Sequence, residues 1–148
     1  IFDAIRNAKI SCFGETAPKL ICEPGRAMVA EAFTLATRVK AIREDGTVFL
    51  NDGIYGGLAE AHQIGTVDRV RSLKANTSPM ICDGIPRVIY GPTCDSIDRL
   101  PDPLALPEGL EEGDYVLFDG MGAYSIAMGT RFNGYGKADL VTVQQLTA

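Results

Sequence analysis

The chain has 148 residues, enough for one domain with a real hydrophobic core. A formal charge of −5 argues against a nucleic-acid or anionic-membrane surface, and no apolar run approaches the roughly 20 residues of a spanning helix. Nothing resembles a secretory leader, and Cys12, Cys22, Cys82 and Cys94, far apart and with one histidine in the chain, do not form a four-ligand zinc pattern.

In chain order, IFDAIRNAKI (1–10) reads as the middle of an amphipathic helix, so the chain is expected to begin inside a larger protein. KLIC (19–22) is a short apolar run fit for a buried strand, and EPGR (23–26) interrupts it. AMVAEAFTLATRV (27–39) then carries Met28, Val29, Ala32, Phe33, Ala36 and Val39 at helical spacing. Strand, Gly-Pro turn and helix together make a unit of an α/β domain, whose functional groups gather where strands end and helices begin.

Beyond about residue 38 the texture changes. TRVKAIREDGTVFLNDG (37–53) is two strand-like runs around Asp45-Gly46, a strong hairpin signal because both residues tolerate positive φ. PRVIYG, DYVLFDG, YSIAM and ADLVTV follow as further strand candidates between Gly and Pro turns, a spacing that predicts an antiparallel barrel or sandwich. DRLPDPLALPEGLEEG (98–113) reads as a proline-rich connecting loop, and Arg69, Arg71 and Lys74 as a solvated basic face.

Three turns carry groups that permit chemistry. Glu23-Pro24-Gly25-Arg26 offers a carboxylate at a strand end, a glycine that allows close approach, free helix amides and a guanidinium fork suited to phosphate. It serves equally as a plain helix start with a paired arginine. Gly120, Gly122 and Tyr124 form a turn able to present a hydroxyl and backbone amides, and NDGIYGGL holds Tyr55 between glycines. In GPTCDSIDRL (91–100), Cys94 stands among Thr93, Asp95, Ser96 and Asp98, where a thiol can serve as proton donor, nucleophile or metal ligand, or be simply part of a polar turn.

Taken in order, Glu-Pro-Gly-Arg, Asn-Asp-Gly-x-Tyr-Gly, Gly-Pro-Thr-Cys-Asp-Ser, Gly-Asp-Tyr-x-x-Phe with Gly-Ala-Tyr, and Phe-Asn-Gly resemble the C-terminal half of the ornithine/diaminopimelate/arginine decarboxylase family. These are pyridoxal-phosphate enzymes of the alanine-racemase-like fold, and GPTCDSIDRL looks closest to the ornithine/lysine branch. The resemblance implies that residues 1–36 are the last α-β-α piece of a truncated (β/α)8 barrel that binds the cofactor. Residues 37–148 would then be a C-terminal antiparallel β-barrel or sandwich domain, making the fold mainly β with some α/β.

The resemblance also implies roles. Glu23 would keep the cofactor's pyridine nitrogen protonated, while Gly25, Arg26 and Tyr124 would hold its phosphate. Cys94 would reach across a homodimer interface and protonate the substrate α-carbon, beside an Asp95 that holds the distal amine, with Tyr55 and Phe132 near the substrate. A carboxylate next to the thiol suits a proton donor better than a nucleophile. The implied parent is a cytoplasmic decarboxylase turning ornithine or lysine into putrescine or cadaverine in polyamine biosynthesis, with no metal. The alternative is a catalytically silent relative, of the antizyme-inhibitor type, that binds a regulatory protein.

Two features depart from the family pattern. The Schiff-base lysine belongs to an N-terminal barrel strand outside this chain, so the chain alone is expected to be inactive, and SLKAN around Lys74 is read as a chance likeness to that lysine's motif. Where many ornithine decarboxylases carry a Tyr-Asp pair beyond Asn-Asp-Gly-x-Tyr-Gly, this chain has Gln63-Ile64.

Overall fold

The structure, a computed structural model, describes residues 1–65, 69–81 and 83–143. Cys82 and the end of the expected β domain beyond Val143 lie outside the described residues. Helix α1 spans Phe2–Phe13, α2 Gly25–Val29 and α3 Ala61–Ile64. The strands are β1 Thr34–Ile42, β2 Val48–Leu50, β3 Val70–Leu73, β4 Gly84–Arg87, β5 Ile89–Tyr90, β6 Leu104–Pro107 and β7 Tyr115–Asp119.

The β1–β2 hairpin forms at Asp45-Gly46 as expected. Gly46 takes φ 82°, its N–H bonds Arg43 O at 2.9 Å, and the Asp45 carboxylate accepts the Thr47 N–H at 2.9 Å. The Asp45 carboxyl is held below its ordinary range by those Thr47 bonds. Five strands make one sheet in the order β3-β7-β1-β2-β5, and β4 pairs with β6 in a second, two-stranded sheet. All pairings in the larger sheet are antiparallel except β2 with β5. The expected antiparallel barrel is therefore corrected to a mixed sheet, open at β3 and β5.

The helix expected over 28–39 is also corrected. Only Gly25–Val29 is α-helical, a short 3-10 turn covers Ala30–Ala32, and β1 begins at Thr34. The helical-period face is not a buried one: Met28 is 77% exposed, whereas Thr37 and Val39 are buried at strand spacing. Pairing with β7 on one side and β2 on the other overrides the local preference, since Thr34 lies opposite Asp119 and Val39 opposite Leu50. KLIC forms no strand; no described strand pairs with it, and Ile21 is 86% exposed. YSIAM and ADLVTV likewise contain no strand.

The connecting loop 98–113 does more than connect. It contributes β6 and the buried Leu100, Leu104, Leu106 and Leu110 to a core with Val39, Val48, Leu50, Leu58, Ile89, Val116 and Phe118. The basic face is not merely solvated either. Arg71 grips Asp119 through Nε and Nη2 at 2.7 and 2.8 Å, Arg69 pairs with Glu31, and Lys74 Nζ bonds Gly109 O, Glu111 and Asp114. Those acids hold the Lys74 ammonium above its ordinary pKa.

One carboxylate joins two turns to this frame. Asp98 is fully buried and accepts from Ile54 N–H (3.0 Å), Thr93 N–H (3.0 Å) and Thr93 Oγ1 (2.7 Å). Asp98→Ala strands three donors in the interior, so unfolding in urea should show a loss of about 3 kcal/mol. A loss within error of zero would show that water replaces the carboxylate there at no cost.

Candidate active site

The strand β2 hands the chain to NDGIYGGL, and β5 hands it to GPTCDSID. Asp98 binds both segments, and a Cβ on either Gly53 or Gly91 would collide with its carboxylate, so both positions require glycine. Asp52 fixes the first loop from within, accepting from Gly53 N–H and Gly57 N–H at 2.9 Å each. Burial pushes the Asp52 carboxyl up, against the pull of those two amides, and the nearby Asp98 adds to the rise.

On this scaffold four of the expected site residues meet. Tyr55 Oη donates to Asp95 Oδ2 at 2.6 Å, and the Tyr55 ring stacks on Phe132 with centroids 4.4 Å apart. Thr130 ties the Phe132 segment down, its N–H and Oγ1 both donating to Tyr55 O at 2.7 and 2.9 Å. Asn133, in the left-handed region at φ 51°, brings Nδ2 to 3.5 Å from Cys94 Sγ. Cys94 itself is exposed. The cluster therefore exposes the Cys94 thiol and the Phe132 ring, with Tyr55 and Asp95 half-buried beside them.

The electrostatics of the pair are mutual. The Tyr55 hydroxyl, then the Ile97 N–H, holds the Asp95 carboxyl below its ordinary 3.8. The hydrogen bond to Asp95, with lesser help from burial and from Asp98, pushes the Tyr55 phenol up to about 12. Asp95 thus favours this geometry above pH about 4 and loses that effect as pH falls, whereas Tyr55 favours it up to its ordinary 10.0 and loses it as pH rises through about 12.

A second cluster lies beside α2. A cleft of about 350 Å³ is lined by Arg26, Glu60, Arg69, Gly120, Tyr124 and Ser125, among others. The Arg26 guanidinium carbon sits 5.1 Å from the Tyr124 ring centroid, and Arg26 Nη2 donates to both Glu60 oxygens at 2.7 Å. Gly122 packs so closely on the Val29 carbonyl that no Cβ would fit, which seats the Tyr124 turn against α2. Two amides of this turn are spent within the chain: Met121 N–H bonds Phe33 O and Gly122 N–H bonds Ala30 O. Helix α2, at five residues, is too short for a substantial dipole. Glu23 and Gly25 are exposed and outside the cleft lining.

With this geometry in hand, residues 10–122 match the family described as the C-terminal sheet domain of pyridoxal-dependent decarboxylases. The chain belongs to that family. It is 37% identical over 131 residues to the chloroplastic ornithine decarboxylase of Nicotiana glauca, covering 83% of this chain and 30% of that protein. With the ornithine decarboxylase of Schizosaccharomyces pombe it shares 34% over 152 residues, 95% of this chain and 35% of that one. Among solved structures, the lysine/ornithine decarboxylase of Vibrio vulnificus complexed with cadaverine superposes with a TM-score of 0.69 at 34% identity, covering 97% of this chain and 38% of that chain. The arginine decarboxylase of Paramecium bursaria Chlorella virus gives 0.70 at 36%, over 91% and 36%. The chain thus spans about a third of the length of these relatives.

The donor set fits part of a pyridoxal phosphate of the kind this decarboxylase family uses. Arg26 Nε and Nη1 have no protein partner among the described residues, and Tyr124 stands beside them, a fork and a hydroxyl suited to a phosphate. Sequence reasoning named Asp98 only as part of a polar turn and missed Glu60, Asp52 and Asn133. Asn133 was within reach, inside the Phe-Asn-Gly motif, but Glu60 pairs across 34 positions of chain with no local signal.

The Tyr55–Asp95 bond is directly measurable. Difference titration at 295 nm against Tyr55→Phe should place the Tyr55 phenol near 12, and Asp95→Asn should return it towards 10. A phenol near 10 in the unsubstituted chain would show that the bond does not hold in solution.

Proposed function

We propose that this chain is the C-terminal portion of a pyridoxal-phosphate-dependent decarboxylase of ornithine or lysine, releasing putrescine or cadaverine. The carrying observation is the convergence of Cys94, Asp95, Tyr55 and Phe132 on one outward-facing ledge, separate from the Arg26–Tyr124 cleft. In this reading Arg26, Tyr124 and Gly25 hold the cofactor phosphate and Glu23 pairs with its pyridine nitrogen. The chain before β1 would close the cofactor-binding domain and the chain from β1 onward would form the sheet domain, which moves the expected boundary after residue 36 back to the start of β1 at Thr34. Glu23 and Gly25 stand outside the cleft in this chain, so their roles require the rest of the cofactor site around them.

The bound cofactor supplies the electron sink for the breaking carbon–carbon bond. The residues of this chain supply the polar ends and the proton. Asp95, ionised across the neutral range and oriented by the Tyr55 hydroxyl, accepts the distal ammonium of a diamino acid. Phe132, stacked on Tyr55, walls the aliphatic stem. Cys94 Sγ–H would give its proton to the α-carbon once carbon dioxide has left, leaving a thiolate to which Asn133 Nδ2, 3.5 Å away, can donate.

An exposed ledge is suited to serve a second copy, so two chains in a homodimer would share their sites. The Vibrio vulnificus relative is a lysine/ornithine decarboxylase, and the Gln63-Ile64 departure keeps both diamino acids in play. A silent, regulator-binding relative gains no support from a chain that retains Cys94 and Asp95 in this arrangement.

In the full-length protein, Cys94→Ala should leave cofactor affinity unchanged and slow turnover by roughly 10²–10⁴. Mixed with a variant whose cofactor-binding lysine is replaced, it should recover about a quarter of the unsubstituted activity. Half of the randomly paired dimers are mixed, and each then has one of two sites complete. No recovery despite proven subunit exchange would put Cys94 in its own chain's site.

A further inference from the structure

The Arg26 guanidinium already holds an anion, and that anion belongs to the chain. Both Glu60 oxygens lie 2.7 Å from Nη2, and the Glu60 side chain is only 14% exposed against 41% for Arg26. A carboxylate at this distance on an arginine beside a tyrosine is what a tetrahedral anion would replace. The other charges facing the cleft are already committed: Arg69 to Glu31, and Asp119 to Arg71 and Thr34. Among the described residues Arg26 combines one carboxylate partner with two open donor nitrogens, so an entering anion meets Arg26 and Glu60 together.

The backbone beneath Glu60 has little room to shift. Gly57 N–H is tied to Asp52, Ala61 N–H to Leu58 O, and Glu60 O accepts from Gln63 and Ile64. Any movement of the carboxylate is therefore a side-chain rotation. Two anions on one guanidinium repel, and in a part-buried cleft that repulsion is weakly screened.

We propose that Glu60 is a resident competitor for Arg26, exchanged off the guanidinium when a tetrahedral dianion enters the cleft. The proposal rests on the reading of this cleft as a phosphate site. Its consequence is selectivity: a dianion gains enough from Arg26 to displace the carboxylate, whereas chloride or an unphosphorylated analogue does not.

Calorimetric titration of the chain with sulfate at fixed ionic strength separates the two ideas, because sulfate stays a dianion across the working pH range. Arg26→Ala should weaken sulfate binding tenfold or more, and Glu60→Gln should tighten it on the order of tenfold. Unchanged affinity in Arg26→Ala would overturn the phosphate reading of the cleft. Loss of affinity there, with unchanged or weaker binding in Glu60→Gln, would overturn the competitor alone and make Glu60 an aid to Arg26. Should Glu60→Gln fail to fold, the unsubstituted chain still decides: the Glu60 carboxyl carbon-13 resonance should move on saturation with sulfate, and a stationary resonance at saturation rejects exchange.

Discussion

The ledge that carries Cys94 and Tyr55 hangs on a buried carboxylate with no counter-cation among its hydrogen-bond partners in the described residues. Asp98 binds the Ile54 and Thr93 amides and the Thr93 hydroxyl, while its own backbone carbonyl takes the Gly91 N–H at 2.8 Å. A buried charge of this kind survives only if its bonds are all made. That requirement dictates two glycines, Gly53 and Gly91, whose missing side chains leave the space the carboxylate fills. The register between the Tyr55 loop and the Cys94 loop follows, and with it the 2.6 Å bond between Tyr55 and Asp95. The paired strands β2 and β5 bring the two loops side by side, and beyond the last strand pair the buried acid joins them.

Much of the sheet was legible in the sequence. Asp45-Gly46 specified its hairpin through positive φ, and YVLFD, buried at Val116, Leu117 and Phe118, became the strand between β3 and β1. The stretch from Met28 to Val39 was not, because its alanines and β-branched residues suit both periods and only pairing with β7 and β2 decides. Prolines disguised β6, which tolerates Pro107 in a small two-stranded sheet outside the main ladder.

The candidate site divides along the same line. Cys94, Asp95, Tyr55 and Phe132 stood out as a motif order, and the structure brings them together. Arg26 and Tyr124 also meet, but through a cation–ring contact that neither local segment announced. Glu60 escaped because its partner is fixed by the fold: the two residues of the Arg26–Glu60 pair are separated by an entire hairpin. Lys74 illustrates the converse. Its letters imitate a cofactor-binding motif, yet its amine is engaged by three oxygen partners, and the acids among them hold its pKa above the ordinary value.

Tyr55 and Glu60 share one loop, and that has a mechanical consequence. Asp52 and Asp98 clamp its first part, with Gly57 as the last clamped amide, and the bonds at Leu58, Ala61, Gln63 and Ile64 hold the backbone of Glu60 beyond it. If the Cys94 ledge serves one site of a dimer and the Arg26 cleft the other, this clamped loop lies between two different sites. A rigid connection keeps filling of the cleft from dragging Tyr55 off Asp95. The clamp favours independence of the two sites over cooperativity, because a ligand shifts only those groups whose energies differ between bound and free states.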